Sequence, residues 1–295
     1  MIYKIIHDNI YEYEFAVAMS HNVAHLKARD CGRQTCRHHE LRFGIAPAVS
    51  SSQVDYYGNP VTFFTMQEPH RRLSVNAVNV VEVHPSAAPE PWRTPPWEQV
   101  RSFLAADRDP LTIDAYDFTF HSPYVPLSDE LAAYAAPSFW PGRPLLEAVL
   151  HLTARIHADF RYDPNATTTA TPLSEVLTLR RGVCQDFAHL EIGCLRSLGL
   201  AARYVSGYLL TNPPPGKPRL IGVDASHAWL SVYCPEFGWI DLDPTNNQIP
   251  AGKHIVLAWG RDYDDVSPIK GVVLGGGRHS VSVAVDVVSL PDPVV

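Results

Sequence analysis

The hydrophobic period of this sequence changes at Pro144, and that change limits the folds open to the chain. Before it, apolar residues follow the short, partly alternating runs typical of strands. After it they recur at helical spacing: Leu145, Val149, Leu152, Ile156 and Phe160. A proline at the start of such a pattern suits a helix N-terminus. The sequence therefore predicts an α+β fold, in which a first group of strands is followed by helices that pack on a second antiparallel sheet.

Residues 1–84 are predicted to form an antiparallel sheet. Runs such as YEYEFAVAM, VTFFTM and LSVNAVNVVEVH are rich in the aromatic and β-branched residues that strands favour. In VDYYGNPVTFF, Gly58 and Asn59 separate two such runs, which indicates a hairpin turn. With no convincing helix among these strands, the region is predicted to be an N-terminal β-sandwich.

Residues 85–143 have a different composition and are predicted to be a connector with short helices. Eleven of the 26 prolines lie between residues 85 and 144, and proline fixes φ and removes a backbone donor. Residues 144–295 are predicted to form a second domain, the core. Within it we expect a short helix in TPLSEVLTL, with Thr171 as N-cap, and two final strands around the glycines of IKGVVLGGGRHSVSVAVDVV.

Charge and composition exclude several functional classes. The 24 Lys and Arg against 31 Asp and Glu give a net charge of −7, which gives no indication of a nucleic-acid or membrane partner. The N-terminal segment lacks the apolar stretch and cleavage site of a signal peptide, and no run is long enough for a membrane span. We therefore expect a cytoplasmic protein whose five cysteines are free thiols.

The segment RRGVCQDFAHL is predicted to begin a helix at Cys184. Its apolar residues step at helical spacing, and Gly199 suits the position after the helix end. The free N–H groups and the positive end of the dipole at a helix N-terminus favour a thiolate, the nucleophilic form of cysteine. Gly182, just ahead, leaves room for a substrate. This combination is typical of a nucleophile.

Two later segments supply a base and an acid. If Tyr233 and Trp239 pair across the turn CPEFG, then His227 and Asp243 lie on one face of the hairpin as diagonal neighbours. Such neighbours are about 7–8 Å apart at the backbone, a gap that an imidazole and a carboxylate can close. Asp241 shares this face but lies farther from His227. The register therefore predicts that Cys184, His227 and Asp243 form a catalytic triad.

Each of these residues also has an ordinary structural interpretation. A lone cysteine is more often core, a lone strand histidine is more often a satisfied polar group, and Asp-Pro often begins a turn. We favour the triad because all three structural interpretations would have to hold together. Among the neighbours, Asp186 is predicted to interact with the helix dipole or, alternatively, to support the catalytic residues from behind. His189 and Cys194 are predicted to be structural, and Cys234 to be exposed in the hairpin turn.

No metal or cofactor is predicted. CGRQTCRHHE offers Cys31, Cys36, His38 and His39, but the spacing is poor for zinc and no second ligand pair follows. GGGRH lacks the lysine and the following helix of a phosphate-binding loop.

The stretches RRGVCQDFAHL…LGLAARYVSGYL and DASHAWLSVYCPEFGWIDLDPT resemble the core of bacterial transglutaminase-like proteins. HDNIYEYEFAV…VDYYGNPVTFFTM…HRRLSV resembles the β-domain that commonly precedes that core. The resemblance covers nearly the whole chain and implies a papain-like core in which Cys184 is the nucleophile, His227 the base and Asp243 the orienting acid. The oxyanion-holding tryptophan of the animal cross-linking enzymes has no counterpart here, since Trp140 is too distant along the chain. No calcium loop is apparent.

These features together predict cysteine-dependent acyl transfer on an amide substrate, peptide or protein, through a thioester. Hydrolysis is favoured over cross-linking because water is always present. The alternatives are cross-linking of the protein-glutamine gamma-glutamyltransferase type, or a non-catalytic scaffold that retains the fold. The sequence does not indicate the oligomeric state.

Overall fold

The computed structural model describes residues 1–84, 87–211 and 226–291. Its first five strands are β1 (Ile2–Ala24), β2 (Gln34–Phe43), β3 (Val49–Val54), β4 (Pro60–Met66) and β5 (His70–Val83). They pair antiparallel in the order β2-β5-β1-β4-β3. β3 and β4 are the predicted hairpin, and Gly58 in its turn has φ of 76°, a conformation open to glycine without steric cost.

The helices follow in the connector and the core. They are α1 (Trp97–Ala106), α2 (Pro110–Tyr116), α3 (Asp129–Ala135), α4 (Leu145–Asp159), α5 (Leu173–Leu179), α6 (Cys184–Ser197) and α7 (Tyr263–Val266). The remaining strands are β6 (Arg161–Tyr162), β7 (Arg181–Gly182), β8 (Ala202–Leu209), β9 (Ser226–Cys234), β10 (Gly238–Leu242), β11 (His254–Gly260), β12 (Ile269–Gly275) and β13 (His279–Leu290). Residues 85–86 of the predicted connector, and 212–225 and 292–295 of the predicted core, lie outside the described residues. No helix in the described part of the chain is long and apolar enough to cross a membrane.

The N-terminal sheet is one sheet that bends through its longest strand. The first half of β1 pairs with β5 and the second half with β4, with a register shift between Glu12 and Val17. Apolar side chains of β4, such as Phe64 and Met66, join a buried cluster with Leu73 of β5. The predicted antiparallel sheet is therefore confirmed, and its strands all belong to one sheet.

The two tail strands lie in this N-terminal sheet, so their predicted place in the core is wrong. β13 pairs with the first half of β1 and β12 with the second half. The glycine loop falls where β1 itself bends, and Gly275, Gly276 and Gly277 all have positive φ. The physical reason is that β1 has an open edge whose N–H and C=O groups need partners. The boundaries near residues 84 and 143 stay predictions.

The core is a four-stranded antiparallel sheet, in the order β10-β9-β8-β11, packed against helices. α6 contacts β8 and β9 on one side and α3, α4 and α5 on the others, which buries it almost completely. The predicted apolar stripe of α4 is buried throughout. α5 begins one residue later than predicted, because Thr171 is held in a turn with Thr168 and Pro172 is the N-cap.

Candidate active site

Cys184 is the first residue of α6, as predicted, and its side chain is partly buried. The residue before it, Val183, is extended, with φ of −114°. The Asp186 carboxylate accepts hydrogen bonds from the Val183 N–H (2.8 Å) and the Thr167 hydroxyl (2.7 Å). This is the carboxylate half of a capping box. Asp186 therefore holds the turn that presents Cys184, which agrees with the alternative of a supporting role.

Gly182 is required because the Asp186 side chain folds back over it. A Cβ at residue 182 would lie 2.5 Å from Asp186 Oδ2 and 2.9 Å from its Cβ. We predict that Gly182→Ala lowers the free energy of unfolding by about 1–3 kcal/mol, as overpacking does. Urea unfolding measures the change. Gly32→Ala is the control, since nothing lies within 4 Å of its added Cβ, and equal stability of the two variants would contradict the prediction.

Tyr162 lies beside the nucleophile and was not identified from the sequence. Parallel pairing of β6 with β7 places it opposite Gly182, and its side chain is half-exposed. Partial burial raises the pKa of Tyr162, and the charge of Cys184 raises it further. Tyr162 therefore lies close enough to Cys184 for the two side chains to interact electrostatically. A two-residue parallel bridge between distant segments cannot be recognised in the sequence of either segment, so the position of Tyr162 could not be predicted.

His227 and Asp243 meet as predicted. β9 and β10 pair in the predicted register, with Ser231 opposite Asp241. The ladder ends one residue before Asp243, which bridges Gln248 instead. His227 Nε2 nevertheless lies 2.7 Å from Asp243 Oδ2. Since Nε2 is taken by the carboxylate, Nδ1 is the ring nitrogen that remains for the thiol.

Asp243 is fully buried and accepts hydrogen bonds from four further groups. His254 Nε2 lies 3.0 Å from Oδ2, and Asn246 Nδ2 lies 2.7 Å from the same oxygen. The backbone N–H groups of Thr245 and Asn246 donate to Oδ1 at 3.1 and 3.2 Å. The carboxylate is thereby fixed in orientation. The backbone hydrogen bonds could have been predicted from the segment DPTN, since an aspartate side chain often accepts from the N–H groups that follow it. His254 had no such signal, because it arrives from β11 through the sheet.

Opposing effects set the charges in this cluster. Burial lowers the pKa of His227, but its hydrogen bonds and charge interactions with Asp243 and Cys184 outweigh burial and raise it to about 10. Burial raises the pKa of Asp243, while hydrogen bonds from His227 and His254 hold it well below its ordinary value. Burial dominates at His254 and lowers its pKa. At neutral pH the site therefore contains an imidazolium, a carboxylate and a neutral imidazole.

The His227 imidazolium gives a predicted pH dependence of stability. Its pKa of about 10 in the folded chain exceeds the ordinary 6.5, so between these values the folded state binds more protons than the unfolded state. The stabilisation by His227 is complete below about pH 6.5 and is lost as the pH rises through about 10. The free energy of unfolding falls by at most about 1.4 kcal/mol per pH unit in this range. Urea unfolding across this range should show the stability difference between wild type and His227→Gln narrowing with pH. A constant difference would refute the assignment.

Among the described residues, one group has its possible ligand atoms close enough together to hold a metal ion: His227, Asp243 and His254. One ligand atom from each lies within 4.8 Å of the others. In this structure both histidines direct Nε2 at the carboxylate instead. Cys36 and His39 of the disfavoured zinc motif are engaged elsewhere, Cys36 with the His38 carbonyl and His39 with Asn79.

The other polar residues singled out from the sequence have structural surroundings, with one correction. His189 is buried against Tyr124 and Tyr204, and its burial lowers its pKa to about 3. Cys194 is fully buried. Cys234 is also fully buried, so the prediction that it is exposed is wrong: it is the last residue of β9 and its side chain packs into the core.

Comparisons with known proteins agree with this architecture. Residues 3–82 match the bacterial transglutaminase-like N-terminal region, and residues 133–244 match the transglutaminase-like superfamily. An uncharacterized protein of Mycobacterium tuberculosis is 44% identical over 294 residues, covering 97% of this chain and 92% of that protein. A protein-glutamine gamma-glutamyltransferase of Pseudomonas aeruginosa is 31% identical over 130 residues, 40% of this chain and 20% of that protein.

A solved structure shows the same fold over the whole chain. The crystal structure of a candidate cysteine protease from Cytophaga hutchinsonii superposes with a TM-score of 0.78 at 23% identity, covering 100% of this chain and 92% of that one. An N-terminal antiparallel sheet, a helix-on-sheet core and the two matched regions all lead to the same assignment. This chain belongs to the bacterial transglutaminase-like family.

Proposed function

We propose that this protein is a cysteine-dependent acyl-transfer enzyme that acts on amides, with Cys184 as nucleophile, His227 as acid and base, and Asp243 as the orienting carboxylate. The observation that carries the proposal is the 2.7 Å distance between His227 Nε2 and Oδ2 of the fully buried Asp243. The same imidazole also interacts with the Cys184 thiol. A nucleophile, a base and a group that orients the base are the parts that thiol catalysis requires.

The reaction follows from these positions. The Cys184 thiolate attacks the amide carbonyl, and the oxyanion of the tetrahedral intermediate accepts a hydrogen bond from the Cys184 backbone N–H at the start of α6. His227 donates its proton to the departing amine as the C–N bond breaks, which leaves a thioester on Cys184. The neutral imidazole then takes a proton from water or from a second amine as that molecule attacks the thioester. Collapse of the second intermediate releases the product and restores the thiolate–imidazolium pair.

Hydrolysis is the favoured outcome, with amine transfer as the alternative. Water is present at a partly exposed thiol such as Cys184, whereas cross-linking requires a site that excludes it. The name of the Pseudomonas relative, which shares 31% identity over part of this chain, supports the alternative. Both outcomes use the same thioester and differ in what attacks it.

Selective alkylation tests the nucleophile. Iodoacetamide near neutral pH should label Cys184 ahead of the other four cysteines, as mapped by mass spectrometry, because Cys184 lies at the N-terminus of α6 and interacts with the His227 imidazolium. The preference should disappear in His227→Ala. Uniform labelling of accessible cysteines in the wild-type protein would count against the proposal.

A partition experiment identifies the acyl acceptor. A peptide library containing glutamine and backbone amides is incubated with the protein, with and without a primary amine. Hydrolysis predicts free carboxylates whether or not the amine is present, and cross-linking predicts that the amine enters the product. Neither product from a library that covers both amide types would contradict the acyl-transfer proposal.

A further inference from the structure

A second polar site lies on the core sheet, away from the thiol. Arg203, Ser231 and Asp241 stand opposite one another on β8, β9 and β10. Arg203 and Asp241 line a cavity of about 380 Å³, together with Trp239 and Trp259. Ser231 is four residues beyond His227 on β9, about 13 Å at strand rise. The fully buried Trp229 lies between them.

Arg203 is a buried cation held between two indoles. Its side chain is 8% exposed, and its guanidinium carbon lies 4.2 Å from the ring centre of Trp239 and 3.7 Å from that of Trp259. Burial lowers the pKa of Arg203 to about 9, so the group is still charged at neutral pH. Its one hydrogen bond to a described residue is a long contact of 3.5 Å from Nε to Ser231 Oγ. The terminal nitrogens therefore have no acceptor among the described residues.

The nearby carboxylate is committed to another cation. Asp241 accepts from Arg33 Nη1 at 2.6 Å and from the Ser231 hydroxyl at 2.5 Å. Arg33 thus neutralises Asp241, and Arg203 remains as an excess positive charge on the cavity wall. A buried guanidinium is costly unless its donors are satisfied, and its planar fork matches the two oxygens of a carboxylate.

We propose that this cavity binds a carboxylate carried on a flat apolar body, with Arg203 binding the carboxylate and Trp239, Phe237 and Ile249 contacting the body. One free guanidinium beside a neutralised Asp241 suits a monoanion better than a phosphate dianion. The volume is in the range of small-molecule sites. Two sources share this chemistry: a free aromatic acid and the C-terminal residue of a peptide. The site is independent of the acyl-transfer reaction proposed above.

Calorimetric titration of the full chain with four probes tests the proposal. Benzoate represents a free acid and N-acetylphenylalanine a chain terminus, while benzamide and N-acetylphenylalanine amide are their uncharged controls. At least one acid should bind at least tenfold more tightly than its amide, and the tighter acid identifies the source. Binding of neither acid, or equal binding of acids and amides, would overturn the proposal.

Variants locate the binding in this cavity. Arg203→Gln should reduce acid binding at least tenfold, and Asp241→Asn should strengthen it several-fold because the competing negative charge is gone. Arg37→Gln, on the exposed ion pair with Glu82, is the matched control and should bind like wild type. If Arg203→Gln does not fold, Asp241→Asn decides alone: unchanged or weaker binding there would refute the assignment. Cys184→Ala should bind the acid normally, which separates this test from the proposed reaction.

Discussion

Replacing Cys184 with alanine should abolish turnover of a peptide amide, by on the order of 10⁴-fold or more, while leaving the protein folded. The sulfur forms the thioester, and no other described group in contact with His227 can replace it. The stability change should be small, below about 1 kcal/mol, because the side chain is only partly buried and alanine is a good helix former. Turnover assays and urea unfolding measure the two effects separately.

Cys36→Ala is the matched control for this experiment. Cys36 is also a partly buried free thiol, but it lies on β2, where it donates to the His38 carbonyl. Its replacement should leave turnover within about twofold of wild type. Retained turnover in Cys184→Ala, with the alanine confirmed by mass spectrometry, would show that another group carries out the chemistry.

Asp243→Asn should reduce both activity and stability. The carboxylate is fully buried and accepts from His227, His254 and Asn246 on one oxygen. The NH₂ group of an asparagine at residue 243 would face either these side-chain donors or the backbone N–H groups of the turn. In both orientations a donor would face another donor. Loss of one partner of a buried ion pair typically costs about 3–5 kcal/mol. With the imidazole no longer held in its charged, oriented form, turnover should fall on the order of 10³–10⁴-fold.

Asp262→Asn provides a comparison with the same chemical change. Asp262 is equally buried, but it caps α7, and among the described residues its carboxylate accepts from the backbone N–H groups of Tyr124 and Asp264. Asparagine is also a good N-cap, so we expect a loss of stability near 1 kcal/mol or less and normal turnover. Equal damage from the two substitutions would mean that Asp243 acts only as a structural carboxylate.

Strand periodicity and one turn were enough to predict the central contact. Once Tyr233 was paired with Trp239, side-chain alternation placed His227 and Asp243 on one face, and the structure has them 2.7 Å apart. The same reasoning placed Cys184 at the first turn of a helix. These are local relations within segments of about 20 residues, where period and turn chemistry determine the geometry.

What escaped prediction depends on contacts between distant segments. His254 reaches Asp243 only because β11 pairs with β8 at the edge of the core sheet. Tyr162 reaches the thiol side through a bridge to Gly182. The tail strands look like core strands by composition, and only the open edge of β1 decides where they bind. The hydrophobic periodicity of a strand shows which of its faces is buried, but it does not show which distant strand pairs with it.

The pairing of β13 with β1 has a consequence for how the chain acquires its structure. β1 is synthesised long before β13, and its hydrogen bonds along this edge are complete only when β13 is present, since Ile2 pairs with Leu290. Contacts so far apart in sequence are slow to form, and until then one edge of a long apolar strand is available to other molecules. Biogenesis of this protein should therefore be most sensitive to chaperone supply and to early termination of translation within the last strand.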